Sequence, residues 1–405
     1  MPANESTLRT TPLRDRHVAA GAKLVPFAGW EMPLQYSGIG SEHLAVRQRA
    51  GVFDVSHMGQ LEVVGARAEA LVERLVTARI TGLEVGAARY GVVCREDGGC
   101  LDDVIAYRLA TDRFLVVTNA ANHERDRAWF ERHAGEFGCA IGDRRDDFAM
   151  LAVQGPAARA LVASLVEAEG ASADPSPAAA DPGSAAAEPP SPPSTDPVSL
   201  LPPRMRCRTL RVAGVTALAC GTGYTGEDGL ELLVAPGAAA ALWDALVAAG
   251  AQPCGLGARD TLRIEACLPL YGNELREERT PLEAGLDFCV AFGSGFIGEE
   301  ALRERGAPSE LLVPLVADRR TIPRAGCVVR CADSGEAVGE VTSGTFSPLL
   351  RRGIALAYVP RTCAVPGTTV DVEIRGRVHT ATVARKPLHR TAGPVASSDD
   401  DGRAG

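Results

Sequence analysis

The chain has 405 residues, 46% of them hydrophobic, and a formal net charge of −9. That length allows two or three domains with sizeable cores, and the acidic balance argues against nucleic acid as the main partner, which would demand a basic surface. No run of 18 apolar residues and no apolar N-terminal stretch occurs, so neither a membrane span nor a secretory signal is expected, and the expected location is the cytoplasm.

Residues 1–8 read as a loose start. Residues 41–50 read as a short helix, with Ser41 as N-cap and Gly51 as its stop. Residues 58–64 read as a strand. Asp97-Gly-Gly99 separates two strand-like runs, 89–95 and 101–109, which is the pattern of a β-hairpin. Residues 113–118 give another strand and 122–135 a helix. Residues 170–203 contain almost no large apolar side chain before Val198. Such a stretch cannot bury enough surface to offset its ordering entropy, so it reads as a disordered insertion in a surface loop. Two strands, 215–220 and 229–234, flank a glycine-rich segment. An apolar helix over 238–249 and a second helix over 257–268 follow. From 311 to 387 the pattern is short strands and turns, which predicts a separate all-β domain. Residues 391–405 read as a loose tail. The whole is α+β, with antiparallel sheets favoured by the hairpins.

Gly221, Gly223 and Gly226 satisfy G-x-G-x-x-G. A dinucleotide site needs a helix after such a turn, because the helix N-terminus binds the pyrophosphate. Here a strand follows, so the glycines read as a wide turn of a hairpin. The eleven cysteines form no C-x-x-C and many lie in apolar runs, which reads as buried thiols rather than zinc ligands or disulfides. Lys23 and Lys386 are the only lysines, and neither sits in a motif that suggests Schiff-base chemistry. The arginine-rich, lysine-poor usage points to a bacterial source.

Several residues could carry chemistry. Asp102 and Asp103 are neighbours on a strand, so one faces a cavity if the other faces away, and periodicity does not choose between them. Glu231 lies between Leu230 and Leu232 and faces opposite to them. A carboxylate there suits a flat heterocycle, since its two oxygens accept parallel N–H bonds. Arg259 stands in the first turn of a helix, against the helix dipole, which calls for a tertiary partner or a task. Asp260 and Arg263 can pair at i,i+3. Tyr224, Tyr90, Asn119, His57 and Met58 are weaker candidates, each readable as an ordinary packed residue.

Several blocks taken in order resemble the glycine cleavage system T protein, the aminomethyltransferase family. They are Phe27-Ala-Gly-Trp-Glu-Met-Pro33, Phe53-Asp-Val-Ser-His-Met58, Gly98-Gly-Cys-Leu-Asp-Asp103, Val153-Gln-Gly-Pro156 and Thr222-Gly-Tyr-Thr-Gly-Glu-Asp-Gly229. Gly255-Leu-Gly-Ala-Arg-Asp-Thr-Leu-Arg263, Leu270-Tyr-Gly-Asn-Glu274 and Thr342-Ser-Gly-Thr-Phe-Ser-Pro348 complete the set. The resemblance runs from about Thr11 to Arg390.

It implies a three-domain folate-binding aminomethyltransferase fold with a C-terminal β-barrel-like domain. The expected division is 1–56 with 144–270, then 57–143 with 271–306, then 307–390. It implies tetrahydrofolate as co-substrate, no metal, and the lipoylated H protein as partner to a monomer or transient complex. By the resemblance Asp102, the first Asp of Gly-Gly-x-x-Asp-Asp, is the catalytic carboxylate. Glu231 and Arg259 are folate contacts, and Met58, Tyr90, Val116, Asn119 and Tyr224 fall where the family lines its folate pocket. Beyond Pro387 the resemblance is weak. Arg385, Lys386 and Arg390 read equally as a solvated strand end, a carrier contact or a contact to the folate glutamate tail. The alternative reading is a non-catalytic or differently acting folate-binding relative of the same fold.

Overall fold

The hairpin turn Asp97-Gly-Gly99 needs both glycines: Gly98 takes a positive φ of 84°, and a Cβ on Gly99 would lie 1.9 Å from the carbonyl oxygen of Glu277. The computed structural model describes residues 8–167, 197–318 and 321–391. The hairpin joins the strands Ala88–Cys94 and Cys100–Ala110. Arg113–Thr118, Gly59–Val64 and Ala140–Asp143 extend it to a five-stranded antiparallel sheet. The helices Ala68–Leu75 and His123–Phe137 supply Leu71, Val72 and Phe130 to the core on one face. Tyr107, Leu115 and Val117 point from the other face into a second core shared with Phe53, Met150 and Leu233.

Those last three residues belong to a six-stranded sheet. Its order is Cys207–Val212, Val215–Cys220, Gly229–Val234, Ala149–Gln154, Gly51–Asp54 and Gln252–Pro253. All pairings are antiparallel except that of Gln252–Pro253 with Gly51–Asp54. Two helices, Ala158–Ala163 and Ala239–Ala248, pack on its far face through Val162, Leu242, Trp243 and Leu246. Ala149–Gln154 is buried along its whole length. A small N-terminal sheet pairs Arg9–Thr10 in parallel with Trp30–Gln35, which pairs antiparallel with Lys23–Phe27.

Six strands between Glu310 and Val383 close into a barrel. Closure leaves no exposed strand edge and encloses Leu315, Val341, Ala355 and Val372. The helix Leu256–Ala266 is keyed to the barrel by Ile264, packed against Ile354, Leu356 and Tyr358. A buried polar link joins the same parts. Arg263, 1% exposed, donates to Glu274 at 2.7 Å and to Ser343 Oγ at 2.7 Å, and Thr342 donates to Glu274 at 2.6 Å.

Three sequence expectations need correction. The helix expected over 41–50 is Ile39–Gln48, and Ser41 does not cap it. Its Oγ donates instead to the Gly38 carbonyl at 2.8 Å. No side chain caps this helix; the buried Glu42 carboxylate instead ties down the chain before it, accepting the amides of Tyr36 at 2.6 Å and Gly38 at 3.0 Å, and reaches the Gly255 amide at 2.9 Å. Gly51 is not the stop but the first residue of a strand, where a Cβ would meet Val46 at 2.5 Å. Of the expected insertion 170–203, residues 170–196 lie outside the described residues. Residues 197–203 are ordered parts of the fold: Pro197–Leu200 is a short 3-10 turn and Leu201 is buried in the core beneath Ala158–Ala163. Residues 1–7 and 392–405 also lie outside the described residues. All eleven cysteines are free thiols, and among the described residues no helix is long and apolar enough to cross a membrane.

Candidate active site

The two large sheets, the helix Leu256–Ala266 and the barrel line a deep cavity of about 2050 Å³ that opens to solvent on one side. The glycine turn 221–229 forms part of its wall, and a strand follows the turn, so the dinucleotide geometry is absent. The glycines serve close packing. A Cβ on Gly221 would lie 2.1 Å from the Pro203 carbonyl, and one on Gly223 would lie 1.9 Å from Gln154 Oε1.

The strand after the turn alternates as expected. Leu230 and Leu232 enter the core, and Glu231, 5% exposed, lines the cavity. Thr222 Oγ1 donates to Glu231 Oε2 at 2.6 Å, and Thr222 itself meets the Tyr107 hydroxyl at 2.7 Å. Burial raises the Glu231 pKa, and Thr222 and the Arg259 charge oppose that rise. Arg259 also lines the cavity, in the first turn of Leu256–Ala266, with its guanidinium 4.9 Å from the ring centre of Tyr224. Its Nη1 is buried and has no hydrogen-bond partner among the described residues. Asp260 pairs with Arg263 at 2.9 Å, as the i,i+3 spacing predicts. A buried guanidinium with an unmet N–H calls for an acceptor on a ligand.

The structure places the two side chains of the Asp102–Asp103 pair on opposite sides of the strand, and it is not the expected Asp102 that reaches the cavity. Asp102 is fully buried and does not line the cavity. Its oxygens accept the Asn119 amide at 3.0 Å, Asn119 Nδ2 at 2.8 Å and Asn122 Nδ2 at 2.5 Å. Asp103 is the carboxylate on the cavity wall. It accepts the Tyr90 hydroxyl at 3.1 Å and Asn119 Nδ2 at 2.9 Å. Burial, and after it the Asp102 charge, push its pKa up to about 7. Val116 is a second correction: it is packed in the core under the helices, and its neighbour Val117 faces the cavity. Met58, Tyr90, Asn119 and Tyr224 all line the cavity, as does His57. Burial and the nearby Arg259 push the His57 pKa down to about 4, so its ring is neutral at physiological pH.

Some lining residues were not foreseen as site residues. Phe27 packs edge-on against His57 with ring centres 5.5 Å apart, and Phe288 stacks on Tyr90 at 6.2 Å. Both reach solvent, at 37% and 75% exposure, and so mark the cavity mouth. Phe27 stands in a block that sequence comparison singles out, whereas Phe288 carries no motif. Lys386 and Arg390 line the cavity as well, and Arg390 donates to the Gly226 carbonyl at 3.2 Å. Among the described residues no cluster of three or more His, Cys, Asp or Glu is placed to hold a metal. The site therefore offers two carboxylates, an unmatched guanidinium and aromatic faces in one deep cavity, which suits a flat, nitrogen-rich ligand.

Comparison with known proteins agrees with that geometry. The GCVT N-terminal domain matches residues 13–178 and 198–294, and the glycine cleavage T-protein C-terminal barrel domain matches 311–389. An aminomethyltransferase of Rubrobacter xylanophilus is 46% identical over 391 residues, 95% of each chain. One of Symbiobacterium thermophilum is 43% identical over 401 residues, 96% of this chain and 99% of its own. The crystal structure of glycine cleavage system aminomethyltransferase T from Bartonella henselae superposes with a TM-score of 0.80 at 34% identity, covering 94% of this chain and 98% of that one. This chain belongs to the aminomethyltransferase family, the T proteins of the glycine cleavage system.

Proposed function

We propose that the cavity is a tetrahydrofolate site, in which the one-carbon unit of an aminomethyl-lipoyl H protein passes to folate. The observation that carries this reading is the convergence of Asp103, Glu231 and the unmatched Arg259 N–H on one deep cavity. Glu231 accepts N–H bonds from the pterin ring, and Arg259 donates to an oxygen of the same ligand. Met58, Tyr224 and Val117 pack against its faces. Asp103, rather than Asp102, lies at the reacting nitrogens and orients N5 and N10 for attack.

The chemistry balances without an added reagent. The C–N bond of the S–CH2–NH2 group breaks, then the S–C bond, while N5 and N10 each form a bond to the carbon. The two hydrogens lost from N5 and N10 leave on ammonia and on the lipoyl thiol. The product is 5,10-methylenetetrahydrofolate. Water would hydrolyse the electrophilic carbon between these steps, so a deep cavity is required. The apolar rim formed by Phe27 and Phe288 suits entry of an aliphatic lipoyl arm. The reaction as written uses no metal, and the working location is the bacterial cytoplasm.

Titration of tetrahydrofolate into wild type and Glu231→Gln tests the site. The variant keeps one acceptor oxygen and loses the charge, so its affinity is expected to fall by about tenfold to hundredfold, or about 1.5–3 kcal/mol. Equal affinities place the pterin elsewhere. The pH profile gives a second check. Asp103 acts as the anion, and burial together with Asp102 pushes its pKa up to about 7. Turnover at limiting folate should therefore rise as pH increases through that range and level off above it. A rate that is flat from mildly acid to mildly alkaline pH contradicts the assignment.

A further inference from the structure

Behind Asp103 lies a carboxyl group that the reaction as written leaves idle. Asp126 stands in the first turn of the helix His123–Phe137 and is fully buried. Among the described residues neither of its oxygens has a hydrogen-bond donor. The charged groups acting on it are Asp102 and Asp103 of the strand Cys100–Ala110 and Arg125 of its own helix. The Arg125 guanidinium donates through Nη1 to Glu277 and through Nη2 to the Leu101 carbonyl, while its buried Nε has no hydrogen-bond partner among the described residues and none of its N–H groups reaches Asp126.

The Asp126 side chain meets that of Asp102 in a carboxyl–carboxyl hydrogen bond, and two buried carboxyl groups bond to each other only if one holds a proton. Asp102 already receives three N–H bonds, from Asn119 and Asn122, which favour its anion. Asp126 receives none and is therefore the better holder of the proton. Burial first, and then the Asp102 charge, push the Asp126 pKa well above the usual carboxylate range. Asn119 Nδ2 completes the chain, reaching Asp102 Oδ1 at 2.8 Å and Asp103 Oδ1 at 2.9 Å.

We infer that Asp126 is a positioning residue for Asp103, a carboxylic acid that donates a hydrogen bond to Asp102 and so keeps the Asp102 charge and the shared Asn119 contact in place. The chain Asp126, Asp102, Asn119, Asp103 then runs from the helix to the cavity wall. The Asp102 anion raises the proton affinity of Asp103. Loss of the Asp126 donor makes Asp102 take up a proton itself, which removes that influence and lowers the Asp103 pKa.

The inference rests on the reading of the cavity given above, so the test begins with a readout that needs no turnover. Infrared spectra of wild type and Asp126→Asn are compared at a pH above the Asp103 titration. Wild type is expected to show a protonated carboxyl C=O band that the variant lacks, and absence of that band in wild type overturns the inference. Kinetics with the aminomethyl carrier and tetrahydrofolate follow. Asp126→Asn retains an N–H donor and should keep the wild-type acid limb and a kcat within about twofold of wild type, whereas Asp126→Ala should lose about tenfold in kcat. The acid limb of Asp126→Ala should also move to lower pH, with the KM for folate little changed. A folded Asp126→Ala with the wild-type limb, or an Asp126→Asn as damaged as the alanine variant, also overturns the inference. Should wild type itself show no turnover, the function reading fails while the infrared band still decides this one.

Discussion

Asp103→Asn is expected to lower kcat by about 10²–10³-fold, the usual cost of losing one positioned electrostatic group at a reacting centre. The substitution keeps the size of the side chain and its place on the cavity wall. It removes a negative charge from a deep cavity where a charge acts strongly, because little water screens it. The Tyr90 hydroxyl and Asn119 Nδ2 now donate to Asp103 at 3.1 and 2.9 Å, and the new amide can still accept from one of them. Folate affinity should therefore change far less than kcat, since Glu231 and Arg259 remain to hold the ligand. Asp102→Asn has a different signature. Its amide would have to face the Asn119 and Asn122 donors, so part of its effect should appear as lost stability. If Asp102→Asn abolishes turnover while Asp103→Asn leaves it intact, the assignment of the two carboxylates is reversed.

Glu274→Ala is expected to cost about 3–5 kcal/mol of stability, because the buried Arg263 guanidinium then keeps only the half-exposed Asp260 as counter-charge. Arg263 is 1% exposed and donates to Glu274 at 2.7 Å. Glu274 also accepts the Leu270 amide at 2.9 Å and the Thr342 hydroxyl at 2.6 Å. One carboxylate thus ties the helix that carries Arg259 to the loop after it and to the barrel. Thr342→Val removes a single donor and should cost only about 1 kcal/mol. A double replacement, Glu274→Met with Arg263→Met, should recover part of the loss, because well-packed apolar side chains can substitute for a buried pair. Urea unfolding of the four proteins measures this. A Glu274→Ala midpoint equal to wild type would mean that the pair is solvated or dispensable.

Much of the five-stranded sheet was legible in the sequence because its turn and its alternation are local. The Asp97-Gly-Gly99 turn and the run 113–118 carry their own signals, and the latter matches the strand Arg113–Thr118. The orientation of Glu231 followed from the leucines on either side. The orientation of the aspartate pair did not follow, because alternation sets Asp102 and Asp103 on opposite faces without saying which face meets the cavity. That choice is made by Asn119 and Asn122, which collect Asp102 from the segment leading into a helix. The same reasoning applies to Val116 and Val117, where both faces of the strand are apolar and buried. The N-terminal sheet was missed because Pro26 and Pro33 fall within its strands and Gly29 makes a turn without a standard hairpin signature. Ser41 fits a cap by residue type, but the helix starts two residues earlier, at Ile39, which puts Ser41 inside its first turn.

A T protein that works as proposed releases ammonia from an aminomethylated lipoyl carrier in step with folate. The most direct test mixes the protein with aminomethyl-lipoyl H protein, with and without tetrahydrofolate, and follows ammonia and 5,10-methylenetetrahydrofolate together. Equal amounts of the two products are expected with folate present, and little ammonia without it. Tight folate binding with no ammonia release would contradict this and leave a folate-binding relative that does not carry out the transfer.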